Sequence, residues 1–301
     1  MEQSPHPSSG HPRQGREPIP FPANAGASLY VPDGQPFAAA FRSTTHLAIG
    51  AHQDDIEIMA FHGIAHCAGS DTDAFAGVVC TDGSGSPQAH PIATGDLRAV
   101  RREEQNAAAR LGGYCAMVQL DYKSADIRGA RRPLLEADIL QLLRESRPRV
   151  LYTHNPFDAH PTHIAVCQAV VAALRALPPG QRPQTVYGCE VWRSLDWVPA
   201  RHLRTLTWSE PDERWTQLLG CFASQIQGGK RYDLAAPGRA RANATFRESH
   251  QVDRTQSAWL AVDLRPLIDK PDLSIEDYVQ SVLDEFGRAL HAALRHEPEA
   301  P

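Results

Sequence analysis

The sequence has no apolar run approaching the roughly 20 residues that span a bilayer, so no membrane-spanning helix is expected. Its opening stretch, MEQSPHPSSGHPRQGREPIP, lacks the charged and apolar regions of a secretory signal, and a cytoplasmic protein is the expectation. Basic residues are not in excess. Thirty Lys plus Arg against 35 Asp plus Glu give a formal net charge of -5, which leaves no electrostatic footprint for nucleic acid. No CxxC pair occurs among the six cysteines, and each sits in apolar surroundings such as Val78-Val79-Cys80. That pattern reads as buried reduced thiols, which excludes a disulfide framework or a thiolate zinc site. There is no GxGxxG or P-loop either, since Gly83-Ser84-Gly85-Ser86 is too short and has no lysine to cradle a nucleotide phosphate.

What is present is an ordinary globular composition, 42% hydrophobic and 22% charged, in a chain long enough for a real core. Residues 1–40 read as a mostly disordered Pro/Ser/Gly/His-rich leader that docks near Leu29 to Pro36, with His6 and His11 as bystanders. Residues 41–301 read as a single α/β domain with a C-terminal helical segment. Apolar runs at Thr45–Ala51, Phe75–Thr81, Ala116–Leu120, Val150–Thr153 and Thr185–Val191 predict strands. Helices are predicted over Ile56–Cys67, from Asp96 to Arg110, over Leu134–Ser146 and over Thr162–Leu177. This alternation predicts a Rossmann-like, mostly parallel sheet with helices on both faces. Further on, an edge strand at His202–Trp208, a helix over Asp212–Gln225 and a last helix from Ser274 are expected. The apolar stripe of that last helix docks on the core or joins two copies, so a homo-oligomer stays open.

Ligands of such sheets gather at the carboxyl ends of the strands. Two polar segments stand there: Ala51-His52-Gln53-Asp54-Asp55-Ile56-Glu57 after the first strand, and Asp158-Ala159-His160-Pro161-Thr162-His163 after the fourth. A catalytic zinc site needs about three His, Asp or Glu ligands and an open position for water. His52 and Asp55 can reach one ion from a single turn, and His163 can complete the set from the other loop. Asp54 is then free to take a proton from a metal-bound water, and His160 can hydrogen-bond an oxyanion or protonate a leaving amine. Taken singly, the Asp-Asp pair is also what a helix cap looks like. His62 and His66, four residues apart, have metal-binding spacing but no carboxylate at a matching loop.

At these residues the chain resembles the LmbE-like, or PIG-L-like, family of zinc-dependent N-deacetylases. That family carries Ala-His-Pro-Asp-Asp-x-Glu after its first strand and His-Pro-Asp-His further on. Thr81-Asp82-Gly83, Arg102-Glu103-Glu104-Gln105 with Leu111-Gly112, and Ala223-Ser224-Gln225 add to the likeness, which spans residues 45 to 225. The resemblance implies a zinc ion held by His52, Asp55 and His163, although these ligand types suit other divalent ions too. It also implies Asp54 as general base, His160 as oxyanion stabiliser, and an N-acetylated amino sugar of the N-acetylglucosamine type as substrate. Two departures stand out. Gln53 replaces the family's proline, which is expected to loosen the turn and add a polar group near the metal. Thr162 replaces its aspartate, so a carboxylate contact to the ligand histidine must come from elsewhere, with Asp158 the candidate.

Asp82, Arg102 and His154 are the candidate substrate contacts, with turn, solvated-helix and surface roles as their plain alternatives. Arg98 and Arg101 open the same helix as Arg102, and one of the three could bind an anionic substituent. Trp192 and Trp197 are candidate pocket walls, one of them better suited to packing. The expected activity is removal of an acetyl group from an amino sugar by metal-bound water activated by Asp54. The alternatives are an amidase for a larger N-acyl or thiol-conjugate substrate, and a sugar-binding module without turnover.

Overall fold

The computed structural model describes residues 24–85, 96–209, 212–247 and 250–295. Residues 1–23, with His6 and His11, and most of the loop expected between Asp82 and Gly95 lie outside the described residues. In chain order the strands are β1 (Ser28–Tyr30), β2 (His46–Gly50), β3 (Phe75–Thr81), β4 (Ala116–Tyr122), β5 (Val150–His154), β6 (Thr185–Cys189), β7 (Leu203–Thr207) and β8 (Ala258–Asp263). They form one sheet in the order β1-β4-β3-β2-β5-β6-β8-β7.

The central strands are apolar along their length because both faces are covered. Successive side chains of a strand point to opposite faces. Accordingly Leu47, Ile49, Ala76 and Val78 enter one core cluster, while Ala48, Phe75 and Val79 enter the other. The first cluster is closed by Leu135, Ile139, Val166 and Val170 from helices Arg132–Ser146 and Pro161–Ala176. The second is closed by Ile56, Phe61 and Trp215 from helices Asp55–Met59, Phe61–Ala68 and Asp212–Gly220. Helices on both faces thus hold as expected.

The sheet itself is mixed rather than mostly parallel. The β4-β3-β2-β5-β6 block is parallel, but β1 pairs antiparallel with β4, β8 with β6, and β7 with β8. Antiparallel neighbours need no crossover helix between them, so irregular segments can extend both edges. Inside the expected leader β1 pairs with β4, and helix Phe37–Arg42 runs across its end, with Phe41 just beyond it fully buried in the first cluster. Strand order reverses between β2 and β5, and that is where a crevice opens beyond the strand ends.

The helix expected over Ile56–Cys67 is two helices, separated at Ala60, whose backbone sits at φ -120° and ψ 18°. Beside the break, the Glu57 carbonyl accepts the Trp215 indole N–H at 2.7 Å. Trp215 is fully buried and stacks on Phe61 with ring centroids 5.4 Å apart. Replacing Trp215 with alanine is therefore expected to lower unfolding free energy by about 3–5 kcal/mol, read from urea unfolding curves. A loss below about 1 kcal/mol would show that the indole is not what joins these helices. No helix among the described residues is long and apolar enough to cross a membrane.

Candidate active site

The turn after β2 places two acidic side chains, Asp54 and Asp55, in succession. Asp54 is the N-cap of helix Asp55–Met59 and holds a left-handed backbone, φ 100° and ψ -29°. A non-glycine residue there stores strain that its surroundings must hold. They do so closely. The Gln225 side-chain amide donates to Asp54 Oδ2 at 2.7 Å and to the Gln53 carbonyl at 3.0 Å. The His52 amide donates to Asp55 Oδ2 at 2.7 Å, closing the turn on itself.

Gln53 does not loosen this turn. Its buried side chain donates to the Thr81 carbonyl at 3.1 Å and to Gln119 Oε1 at 3.3 Å, tying the turn to the ends of β3 and β4. Gly83 completes the join at φ 70°, where an added Cβ would stand 2.5 Å from Gln53 Oε1.

The β5 loop faces this turn. His160 caps helix Pro161–Ala176, its Nδ1 accepting the Thr162 amide at 3.2 Å. One turn on, His163 points to the Asp55 carboxylate. His52 Nδ1, Asp55 Oδ2 and His163 Nε2 stand at mutual distances of 3.2, 3.2 and 3.3 Å. Ligands about 2.0–2.1 Å from a tetrahedral ion are about 3.3 Å apart, so this triangle fits one. The other His163 nitrogen, Nδ1, lies 3.2 Å from Asp158 Oδ2, the carboxylate contact that Thr162 cannot make. His154 Nε2 is also 3.3 Å from Asp55 Oδ2, but it accepts the Ala51 amide at 2.9 Å and is wholly buried. Among the described residues, donor groups of His52, His160 and His163, and of Asp55, His154 and His163, can each hold a metal ion.

The electrostatics follow from burying several carboxylates together. Burial, then the neighbouring Asp55 and Glu57 carboxylates, push Asp54 well above the usual range. Burial acts on Asp55 in the same sense, but His163 and His154 outweigh it and hold Asp55 well below that range. For His163, burial is outweighed by Asp55 and Asp158, and its pKa rises to about 9. The protein on its own thus draws a proton onto His163. A cluster that demands positive charge in this way is one a divalent cation satisfies. Burial and the neighbouring His163 and His52 lower His160 to about 4, so its ring is neutral at physiological pH.

His52, Asp54, Asp55, His160 and Thr162 line a cavity of about 600 Å³. Asp82, Arg102 and His154 do not line it. Asp82 accepts the Ser84 amide at 3.0 Å and the Ser84 hydroxyl at 2.8 Å, Arg102 pairs with Asp121 at 2.8 Å, and His154 lies behind Asp55. Arg101 lines the cavity instead, buried and donating to the Gly83 carbonyl. Trp192 is on the wall and 42% exposed, whereas Trp197 packs edge-on against Phe157 and Phe286.

Sequence reasoning singled out neither Gln225 nor the cations Lys123, Arg128 and Lys230, which also line the cavity. The Ala223-Ser224-Gln225 stretch was the available signal for Gln225. Gln225→Leu is expected to lower kcat about tenfold with metal content unchanged, because it frees the Asp54 carboxylate to swing. Steady-state kinetics beside metal analysis reads this directly, and an unaltered kcat would remove Gln225 from the site.

Comparison with known proteins bears on the family and the fold. Residues 47–174 match the model of the family described as PIG-L: GlcNAc-PI de-N-acetylase. No curated protein sequence matches the chain. Similar solved structures include a conserved protein of Thermus thermophilus, 20% identical with TM-score 0.57, covering 77% of this chain and 99% of that one. The 4-carboxy-2-hydroxymuconate hydratase of Pseudomonas putida is 18% identical with TM-score 0.56, covering 73% and 96%. An antimicrobial-reagent pseudoaglycone deacetylase is 18% identical with TM-score 0.55, covering 73% and 97%. At these identities the structures show a shared fold. Residues 47–174 are thus similar to the PIG-L family, and the fold that surrounds them is the one these structures share.

Proposed function

We propose that the protein is a zinc-dependent de-N-acetylase acting on an N-acetylated amino sugar. One observation carries this reading: His52 and Asp55, which form a donor triangle with the buried His163, line together with Asp54 a cavity large enough for a sugar. When bound there, a divalent ion supplies Lewis acidity and lowers the pKa of a water towards neutrality.

The remaining chemistry belongs to the chain's own side chains. Asp54 takes a proton from the attacking water as its oxygen bonds to the acetamide carbonyl carbon. Because the His160 Nδ1 accepts the Thr162 amide, the proton of its neutral ring is on Nε2, available to the carbonyl oxygen as charge develops. The C–N bond then breaks, the amine takes up the proton that Asp54 received, and acetate is left. Asp158 holds His163 in orientation throughout.

The wall residues bear on the substrate. Trp192 offers a ring face, with Lys230 Nζ 4.8 Å from its centroid. None of Lys123, Arg128 and Lys230 pairs with a carboxylate among the described residues, and this positive rim favours an amino sugar that carries an anionic group. A panel of N-acyl glucosamines, varied in acyl length and with or without a phosphate or carboxylate on the sugar, tests the reading. Release of amine and acetate in equal amounts, falling as the acyl chain lengthens, is expected. A preference for long acyl groups would replace it with the larger-acyl amidase, and binding without release would leave a sugar-binding module.

A further inference from the structure

The histidine pair of helix Phe61–Ala68 does not act as a pair. His62 Nδ1 lies 2.9 Å from the Tyr152 hydroxyl, while His66 Nε2 turns the other way to Asp73 Oδ2 at 2.9 Å. Asp73 is the carboxylate that the sequence did not place near these histidines. It sits in the turn before β3, at the amino end of the sheet, away from the cavity. There it meets a third side chain, His46, the first residue of β2, whose ring centroid is 4.8 Å from that of His66. Donor atoms of His46, His66 and Asp73 all lie within 4.8 Å of one another.

We propose that His46, His66 and Asp73 form a second binding site for a divalent transition-metal ion, with zinc the ion of choice. Two imidazoles and one carboxylate are a zinc donor set, and water can complete it on the open side, where the His66 side chain is 51% exposed. Tetrahedral ligands are about 3.3 Å apart, so the three donors close around an ion by movements of about an ångström.

The surroundings prepare each donor. Thr45 Oγ1 accepts the Ala74 amide at 2.9 Å, stands 3.2 Å from the Ala74 carbonyl and is 3.1 Å from His46 Nδ1. With the hydroxyl proton on the Ala74 carbonyl, Nδ1–H of His46 donates to Oγ1 and the Nε2 lone pair is left for a metal. The Ser70 hydroxyl accepts the amides of Thr72 and Asp73 at 3.2 and 3.1 Å, fixing the turn. Arg149 pairs with Asp73 Oδ1, leaving Oδ2 directed at His66.

The three donors come from β2, helix Phe61–Ala68 and the turn into β3, so an ion here would staple segments distant in sequence. Such a site stabilises the fold by mass action and takes no part in turnover.

The test is zinc content per full-length chain after dialysis against zinc, for wild type, His66→Ala, Asp73→Asn and His163→Ala. His66→Ala is on a half-exposed helical surface, and alanine suits a helix, so this variant keeps the fold. Both His66→Ala and Asp73→Asn are expected to lose one zinc equivalent while keeping the activity of the wild type, and to lose part of the zinc-induced rise in Tm. His163→Ala keeps that part. Any zinc held by His6 or His11 is common to all four proteins and cancels. Equal zinc content and equal zinc-induced Tm shift in wild type, His66→Ala and Asp73→Asn would reduce the cluster to a surface ion pair. Because the reading is stoichiometric, it stands or falls apart from the deacetylase activity.

Discussion

Asp54→Asn is expected to lower kcat about 10³-fold while leaving zinc content at the wild-type level. The amide keeps the shape of the side chain and its place beside Gln225, but it cannot accept a proton from water. Asp54 Oδ2 receives the Gln225 amide at 2.7 Å, and its left-handed backbone aims the carboxylate from a turn that is closed on both sides. No other carboxylate besides Asp55 lines the cavity among the described residues, so no second free carboxylate can substitute. Since the proton transfer belongs to the transition state, kcat and kcat/KM fall together and KM changes little. Retention of more than about a tenth of wild-type kcat would take the role of base away from Asp54.

His163→Ala has a different signature: metal is lost first, and activity with it. The imidazole touches Asp55 through Nε2 and Asp158 through Nδ1, so its removal deletes one proposed ligand and leaves two buried carboxylates without the group between them. Breaking a buried ion pair on one side costs about 3–5 kcal/mol, so a drop in Tm accompanies the loss. Asp158→Asn separates the two effects, because it keeps the ligand and weakens only its orientation. A fall of about 10–100-fold in zinc affinity is expected there, against loss of measurable zinc at this site in His163→Ala. Zinc titration of both variants, followed by activity at saturating zinc, reads the difference. Wild-type zinc affinity in His163→Ala would remove the residue from the ligand set.

The site was legible where it is local. His52 and Asp55 share one turn, His160 and His163 share another, and each turn directly follows a strand of the parallel block. The hydrophobic pattern of those strands located the turns, and chemistry did the rest. What escaped was what long-range folding supplies. Gln225 reaches the Gln53 carbonyl across 172 residues, and no local pattern announces that meeting. Arg101 and Arg102 are adjacent on one helix, and only its phase against the sheet decides that Arg101 enters the cavity while Arg102 turns to Asp121. Gln53 shows the same limit. Its replacement of proline suggested a looser turn, yet its amide finds partners on β3 and β4 that stiffen it.

The sheet escaped in a similar way. Ala258–Asp263 is a short apolar run after an irregular stretch, and its partners β6 and β7 are not its simple neighbours in a repeating β–α pattern. A parallel strand announces itself through the helix that returns the chain, whereas an antiparallel one has no such companion.

Fold likeness alone does not choose the reaction, since a hydratase and a deacetylase both share this architecture with the chain. In the proposed function the donor triangle and Asp54 make the choice, and that reading requires a metal for turnover. The most direct measurement is therefore amine release from N-acetylglucosamine derivatives by metal-stripped protein, with and without one equivalent of zinc. The account predicts no release from the stripped protein, release restored by zinc, and no restoration in His163→Ala. Release that is unchanged by stripping, or restored equally in His163→Ala, would contradict it.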